Sequence, residues 1–187
     1  MSNDSGGQVR GTKYLFTSQR LGFRNWLAID LEPLSAINAD PKVMEFFPAT
    51  QSVEHTNGFI ERMQKQFLER GYCYFAACKL ENDELIGFIG INLQTFESDF
   101  TPCVDIGWRL KYSEWGNGYA TEGARRFLDY ALDELSIKEV FSIASKINLR
   151  SIHIMKKIGM KEIRHFIFPA LKGDERLQEC VLYKVTR

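Results

Sequence analysis

Apolar and polar residues alternate with a period of two through the middle of the chain. The runs YCYFAACKL, ELIGFIGINL and TPCVDIGWRL each have the pattern of a β-strand. Glu81, Asn82 and Asp83, between the first two runs, are typical of a hairpin turn. Because strands joined by short turns run in opposite directions, this pattern predicts an antiparallel meander.

A helical period replaces the alternation after Gly118. Apolar residues then recur three or four positions apart, at Ala124, Phe127, Leu128, Ala131, Leu132 and Leu135. This spacing predicts an amphipathic helix that packs on the sheet. A shorter helix is predicted from Asn148, as N-cap, to Gly159, with Lys156 and Lys157 in its last turn, where cations suit the helix dipole.

Strands and helices are predicted on both sides of this middle region. RLGFRNW has the pattern of a first strand, and EVFSIAS, KEIRHFIFP and ECVLYKVT have that of three later strands. Two short helices are expected before the meander. The first starts near Pro33 and stops at Asp40-Pro41, and the second carries an apolar face of Phe59, Ile60, Met63 and Phe67 and is closed by Gly71.

Composition narrows the possible classes of protein. The 187 residues are 44% hydrophobic, enough for one core, and 24 basic residues balance 24 acidic ones, so no overall field favours nucleic acid or an anionic membrane. Four cysteines without a C-x-x-C pair and three scattered histidines predict free or buried thiols and no metal site. No run of 18 apolar residues occurs. We expect a cytoplasmic protein with a flexible N-terminus, 1–13, and one domain, 14–187.

The stretch EWGNGYATEG places two glycines where a predicted strand turns into a helix. A Walker A loop is rejected because its lysine is missing, and a Rossmann fingerprint is weak because Thr121 occupies the third glycine position. Two interpretations stay open. Gly116 and Gly118 either form only a tight turn, or they let main-chain N–H groups at a helix start bind an anion.

The runs VDIGWRLKYSEWGNGYATEGARRFLDYAL and NLRSIHIMKKIGMKEI resemble the GNAT superfamily of acyl-CoA-dependent N-acyltransferases, and within it the Rim-type branch that acetylates ribosomal-protein N-termini. The family pattern Q/R-x-x-G-x-G/A falls on residues 115–120, with Trp115 in place of Gln or Arg. A second element, Asn-x-x-Ser followed by a basic helix end and Gly-Met, begins at Asn148 and ends at Met160.

This resemblance implies a fold and a cofactor, acetyl-CoA. The fold is one α/β (α+β) domain with a mixed, mostly antiparallel sheet of six to seven strands flanked by helices. EVFSIAS would run parallel to DIGWRL and diverge from it, so that the sheet splays at the acyl-CoA site. Main-chain groups implied to hold the cofactor are those of Trp108, Arg109 and Leu110 for the pantetheine, and Gly116, Asn117, Gly118, Tyr119, Ala120 and Thr121 for the pyrophosphate; Asn148 and Ser151 are implied to contact it as well.

The resemblance also implies a reaction, the transfer of an acetyl group to a primary amine. Asp105 is either the acceptor-site base or a strand-end carboxylate bonded to an arginine; Ser151 either donates a proton to the thiolate or is a helix and cofactor-binding serine. A protein N-terminal α-amine is the expected acceptor. A small amine (polyamine, amino acid or aminoglycoside) and a catalytically silent acyl-CoA-binding module are the alternatives. We expect a monomer or homodimer that binds neither nucleic acid nor membrane.

Overall fold

The computed structural model of the protein describes residues 13–187, so the predicted flexible N-terminus lies outside the described residues apart from Lys13. One eight-stranded sheet runs through the described chain in the order β1-β2-β3-β4-β5-β6-β8-β7. Its strands are β1 (Phe16–Thr17), β2 (Leu21–Arg24), β3 (Tyr74–Lys79), β4 (Leu85–Gln94), β5 (Cys103–Leu110), β6 (Glu139–Ser145), β7 (Lys161–Ile167) and β8 (Glu179–Thr186).

Four α-helices flank the sheet: α1 (Leu31–Ala39), α2 (Val53–Arg70), α3 (Tyr119–Asp129) and α4 (Leu149–Lys157). The expectation that both early helices are short is wrong for α2, which has 18 residues. Its ends are well defined, since the Ser52 side chain accepts a hydrogen bond from the His55 amide and Gly71 ends the helix in the left-handed conformation, at φ 77°.

The predicted antiparallel meander is confirmed. Strands β2, β3, β4 and β5 pair antiparallel in sequence order. All seven predicted strands are present, and the eighth is the two-residue β1, which pairs with β2 through Phe16 and Phe23. The short β1 carries no alternation for a sequence pattern to detect, since a strand of two residues has one residue on each face.

The sheet opens between β5 and β6, as predicted. These neighbours run parallel, and their register contains a single residue pair, Asp105 with Phe141. One side-chain hydrogen bond also links the two strands near that pair: the Ser142 hydroxyl donates to the carbonyl of Ile106 at 3.0 Å. On the far side of β6, seven residue pairs join it to β8, so the opening is confined to the β5–β6 boundary.

Helix α3 closes the core under this opening. Ala124 and Phe127 are completely buried, and Gly123 lies so close to β4 that an added Cβ would stand 2.4 Å from Ile89 Cδ1. The helix continues into a π-helical turn at residues 130–134. Because α3 is packed this tightly, its N-terminus has a fixed position at the end of β5.

All four cysteines are free and buried, as their spacing predicted. Among the residues that the structure describes, no helix combines the length and apolar composition needed to cross a membrane.

Candidate active site

A cleft of about 660 Å³ opens where β5 and β6 separate. Eleven of the twelve predicted site residues line it: Asp105, Trp108, Arg109, Leu110, Gly116, Gly118, Tyr119, Ala120, Thr121, Asn148 and Ser151. Asn117 does not line the cleft; it is exposed, and its side-chain amide donates to the carbonyl of Glu114 at 3.3 Å. Three separate segments of the chain, 105–110, 116–121 and 148–151, therefore meet at one opening in the sheet.

The main chain of β5 presents alternate residues to the opening. The carbonyl of Ile106 faces β6, because Ser142 donates to it. In an extended strand the backbone groups of every second residue point the same way, so those of Trp108 and Leu110 also face the opening. The Leu110 carbonyl accepts from the Trp115 indole N–H at 2.9 Å. Available main-chain groups on this edge are therefore those of Trp108 and the amide of Leu110.

The main chain of Arg109 points the other way. Its carbonyl lies against Gly87 of β4, where an added Cβ would stand 2.1 Å from that oxygen. Arg109 therefore contributes to the cleft through its side chain, and the sequence prediction of a main-chain role for it has no support in this geometry.

Residues 116–121, here called the amide loop, lead from β5 into α3. Gly116 and Gly118 have φ values of 81° and 83°, a left-handed conformation that side chains other than glycine rarely adopt. A Cβ on Gly116 would meet no atom within 4 Å, and one on Gly118 would meet only Arg20 Nη2, at 3.6 Å. Both glycines therefore satisfy the backbone conformation and leave open space above the loop.

The amide loop also ends in uncapped helix N–H groups. Gly118 is the N-cap of α3 and makes no side-chain capping bond. The amides of Tyr119, Ala120 and Thr121 have no acceptor in the preceding turn, since a helix leaves its first amides unbonded. Within residues 13–187, no hydrogen bond is made by any amide of the loop. Such a set of N–H groups at a helix start fits the pyrophosphate of coenzyme A.

Arg20 fixes the loop from the start of β2. Its Nη2 donates to the carbonyl of Asn117 at 3.0 Å, and its Nε donates to Glu122 Oε2 at 2.7 Å. Its guanidinium lies 4.4 Å from the centre of the Tyr119 ring. Sequence reasoning missed Arg20, because about a hundred residues separate it from the loop and no local pattern links the two.

Asp105 is a buried carboxylate held by a tyrosine. It is 7% exposed, and the Tyr74 hydroxyl lies 2.7 Å from Oδ1 and 2.8 Å from Oδ2. Gln94 Nε2 donates to the Tyr74 oxygen at 3.3 Å. Burial raises the pKa of Asp105 to about 6, although the Tyr74 and Gln94 hydrogen bonds act in the opposite direction. The alternative interpretation, a carboxylate paired with arginine, is wrong: the group that holds Asp105 is the Tyr74 hydroxyl.

Tyr74 is a second site residue that the sequence analysis missed. An added Cβ on Gly107 would lie 3.1 Å from the Tyr74 ring, so the glycine gives the ring room to reach Asp105. A glycine inside a strand pattern indicates a close approach of this kind. That signal stands in the sequence, but it does not say which side chain fills the space.

Helix α4 brings two polar residues to the cleft. The predicted N-cap is confirmed, since Asn148 Oδ1 accepts from the Ser151 amide at 3.1 Å. Within the described chain no hydrogen bond uses the Ser151 hydroxyl. The hydroxyl is therefore available to a ligand in the cleft.

Comparison with known proteins identifies the family. The family model for the acetyltransferase (GNAT) domain matches residues 20–161. The chain belongs to this family and is an acetyl-CoA-dependent N-acetyltransferase. A similar sequence is the uncharacterized N-acetyltransferase YnaD of Bacillus subtilis, 26% identical over 160 residues that cover 85% of this chain and 89% of YnaD.

Two solved structures share the fold. RimJ of Mycobacterium smegmatis, in complex with CoA-disulfide, has a TM-score of 0.72 at 15% identity and covers 89% of this chain and 81% of its own. Spermidine N-acetyltransferase of Vibrio cholerae, in complex with CoA and spermine, has a TM-score of 0.68 at 18% identity. The match covers 89% of this chain and 95% of the chain of that enzyme. At these low sequence identities, the similarity to the two structures shows a shared fold alone.

We predict that Asp105→Asn raises stability at alkaline pH. The folded state binds the Asp105 proton more tightly than the unfolded chain does. The ionised carboxylate therefore lowers the free energy of unfolding above pH 6, and this destabilisation disappears towards pH 4. Asparagine keeps an acceptor for Tyr74 and carries no charge. The variant should gain up to about 3 kcal/mol at pH 8, and the gain should shrink as the pH falls through 6. Thermal unfolding at a series of pH values measures this.

Asp99→Asn is the matched control for that substitution, since Asp99 is exposed and the Arg164 guanidinium lowers its pKa. It should give no gain at pH 8. A destabilised Asp105→Asn protein at pH 8, or a difference that does not change with pH, would contradict the assigned pKa.

We predict that Gly118→Val weakens coenzyme A binding at least a hundredfold. A branched side chain above the amide loop blocks two or three charge-assisted contacts to phosphate, each worth roughly 1.5–3 kcal/mol. Strain at positive φ should also cost about 1–2 kcal/mol of stability. Calorimetric titration measures the affinity, and dephospho-pantetheine, which has no pyrophosphate, should bind both proteins about equally weakly.

Gly71→Val separates the two effects of that change. Gly71 has a similar φ of 77° and equally open surroundings, but it ends α2 outside the cleft. The control should lose similar stability and keep its coenzyme A affinity. If both variants bind coenzyme A like the wild type, the two glycines of the loop serve only the turn.

Proposed function

We propose that this acetyltransferase acts on the α-amine of a protein N-terminus, as the Rim-type branch does. The observation that carries the proposal is the position of Asp105, a buried carboxylate with a pKa of about 6, on β5, the strand whose open edge presents the Trp108 main chain. An amine beside Asp105 would lie next to the site proposed for the thioester. The CoA-bound RimJ of similar fold supports the same assignment.

Acetyl-CoA supplies the activated acetyl group as a thioester. In the proposed complex the main-chain amides of Gly116, Gly118, Tyr119, Ala120 and Thr121 bind its pyrophosphate. Trp108 and the amide of Leu110 bind the pantetheine as an added strand would, and Asn148 contacts the same arm. The carbonyl to be attacked then lies near Trp108.

The pKa of Asp105 suits an α-amine better than a lysine. An α-amine with a pKa near ~8 needs about 1.4 kcal/mol to lose its proton at pH 7, whereas a lysine near ~10.4 needs about 4–5 kcal/mol. Asp105 with a pKa of about 6 is mostly ionised at pH 7 and accepts a proton directly or through one water. Tyr74 keeps both carboxylate oxygens in place, and it is a positioning residue.

Ser151 is the proposed proton donor to the departing thiolate. Its hydroxyl lies at the first turn of α4, where the amide of the same residue is already bonded to Asn148. No tyrosine follows Asn148 in α4 to take this role. The alternative role for Ser151, a hydrogen bond to the pantetheine, would affect cofactor affinity and leave the rate unchanged.

A small polyamine is the second candidate acceptor. It is favoured by the spermidine N-acetyltransferase among the proteins of similar fold.

One assay separates these candidates. The protein is incubated with acetyl-CoA and either a peptide with a free α-amine, the same lysine-containing peptide with its α-amine blocked, or spermidine, and free thiol is followed. We expect thiol release with the free peptide only, falling below about pH 6 as Asp105 becomes protonated. Release with spermidine alone would overturn the proposed acceptor, and no release with any of these amines would show that the acceptor belongs to none of these classes.

A further inference from the structure

Two arginines have their guanidinium groups packed inside the fold, and only one of them has a carboxylate partner. Arg24 is 7% exposed and forms a two-pronged pair with Asp30, Nη1 to Oδ2 at 2.6 Å and Nη2 to Oδ1 at 2.7 Å. Arg109 forms no ion pair with any residue between 13 and 187. The Nε of each arginine is buried without a hydrogen-bond partner, so the difference lies in the missing carboxylate.

Neutral groups surround the Arg109 guanidinium. Its Nη1 donates to Asn38 Oδ1 at 2.7 Å, and Asn38 is oriented by its own bond to Thr56 Oγ1 at 3.0 Å. Its Cζ lies 4.3 Å from the centre of the Phe47 ring and 5.3 Å from that of Phe88. Burial lowers the pKa of Arg109 to about 10, and the group remains charged at neutral pH. A partly buried cation with only neutral neighbours is destabilising until an anion joins it.

The position of Arg109 puts this cation on the acceptor side of the cleft. Asp105, Gly107 and Arg109 are alternate residues of β5, so their side-chain positions share one face of the sheet. Both aromatic neighbours of the guanidinium, Phe47 and Phe88, line the same cleft, as does Tyr74. The cleft therefore contains a buried carboxylate and a partly buried cation on one face, about 13 Å apart from Cα to Cα at the rise of an extended strand.

We propose that Arg109 binds a carboxylate of the acceptor while the acceptor amine lies at Asp105. This inference rests on the proposed acetyl transfer and narrows its substrate class to amines that also carry a carboxylate. Arginine matches a carboxylate geometrically, and the aromatic rings that flank the guanidinium hold its plane in place. A polyamine, which carries only positive charge, would be repelled by Arg109. The carboxylate belongs either to an acidic side chain of a peptide or to the C-terminus of a very short one.

Matched dipeptides test the proposal, with the same alanine α-amine in every ligand. Alanyl-glutamate amide against alanyl-glutamine amide tests a side-chain carboxylate, and alanyl-alanine against its amide tests a C-terminal one. Binding to the coenzyme A complex is measured by calorimetry, so no turnover is required. We expect the carboxylate member of at least one pair to bind wild type roughly 10- to 100-fold more tightly, and the responding pair identifies the source.

Arg109→Met should abolish that preference, and Arg109→Lys should keep part of it. The main chain of residue 109 faces β4, so coenzyme A affinity should be unchanged in both variants. Arg164→Met is the surface control, since Arg164 is exposed and pairs with Asp99, and it should keep the full preference. If Arg109→Met does not fold, the proposal is still tested by comparing how strongly Arg109→Lys and the wild type prefer the carboxylate dipeptides.

Any one of three results would overturn the proposal. The wild type could bind the carboxylate and the amide dipeptide of each pair equally well, or the preference for the carboxylate dipeptide could survive in Arg109→Met. Finally, Arg109→Met could lose affinity for coenzyme A, which would assign Arg109 to the cofactor. Thiol release in the acetyl-CoA assay tells this failure apart from failure of the proposed function. Transfer to the uncharged amides at an equal rate would leave the function standing without the carboxylate requirement.

Discussion

The site depends on the separation of β5 from β6. A parallel pair held by one register position and one serine hydroxyl leaves main-chain groups of β5 without partners in the sheet. Unbonded backbone groups are costly in a buried position, so this edge is stable only where water or a ligand reaches it. The tight packing of α3 on β4 and of β6 on β8 keeps the gap open, because neither strand can move to close it.

Charge is distributed around this gap in a way that matches a transfer reaction. In the proposed complex the pyrophosphate would lie at the backbone amides at the start of α3, where the helix dipole favours an anion and no metal is needed. The acceptor end contains Asp105, whose burial raises its pKa to about 6, and Arg109, whose burial lowers its pKa to about 10. Asp105 is buried and Arg109 is partly buried, and neither has an opposite charge beside it; the proposed acceptor, an amine that also carries a carboxylate, would supply one to each.

Much of the fold was predictable because its signals are local. Alternation located β3, β4 and β5, and the helical period located α3. Asn148 was recognisable as an N-cap from its type and position, and the glycines of the amide loop from their spacing. The extent of α2 was misjudged at its start, because the helix begins after the cap at Ser52, well before the apolar face that begins at Phe59.

The parts of the site that were missed come from contacts between distant segments. Tyr74 reaches Asp105 across β4, Arg20 reaches the amide loop from the residue before β2, and Asn38 reaches Arg109 from α1. No sequence period relates such partners, since the sheet order brings them together. The direction of the Arg109 main chain likewise depends on which edge of β5 pairs with β4, and that is a property of the register.

Hydrogen exchange of individual amides, with and without coenzyme A, tests the central claim most directly, because an amide that gains a hydrogen-bond partner exchanges more slowly. The account predicts that coenzyme A slows exchange at Trp108, Leu110 and the amide loop, and leaves Arg109, whose main chain already faces β4, unchanged. Unchanged exchange at Trp108 and Leu110 in the saturated complex would show that the opening between β5 and β6 does not hold the cofactor, and would contradict the account.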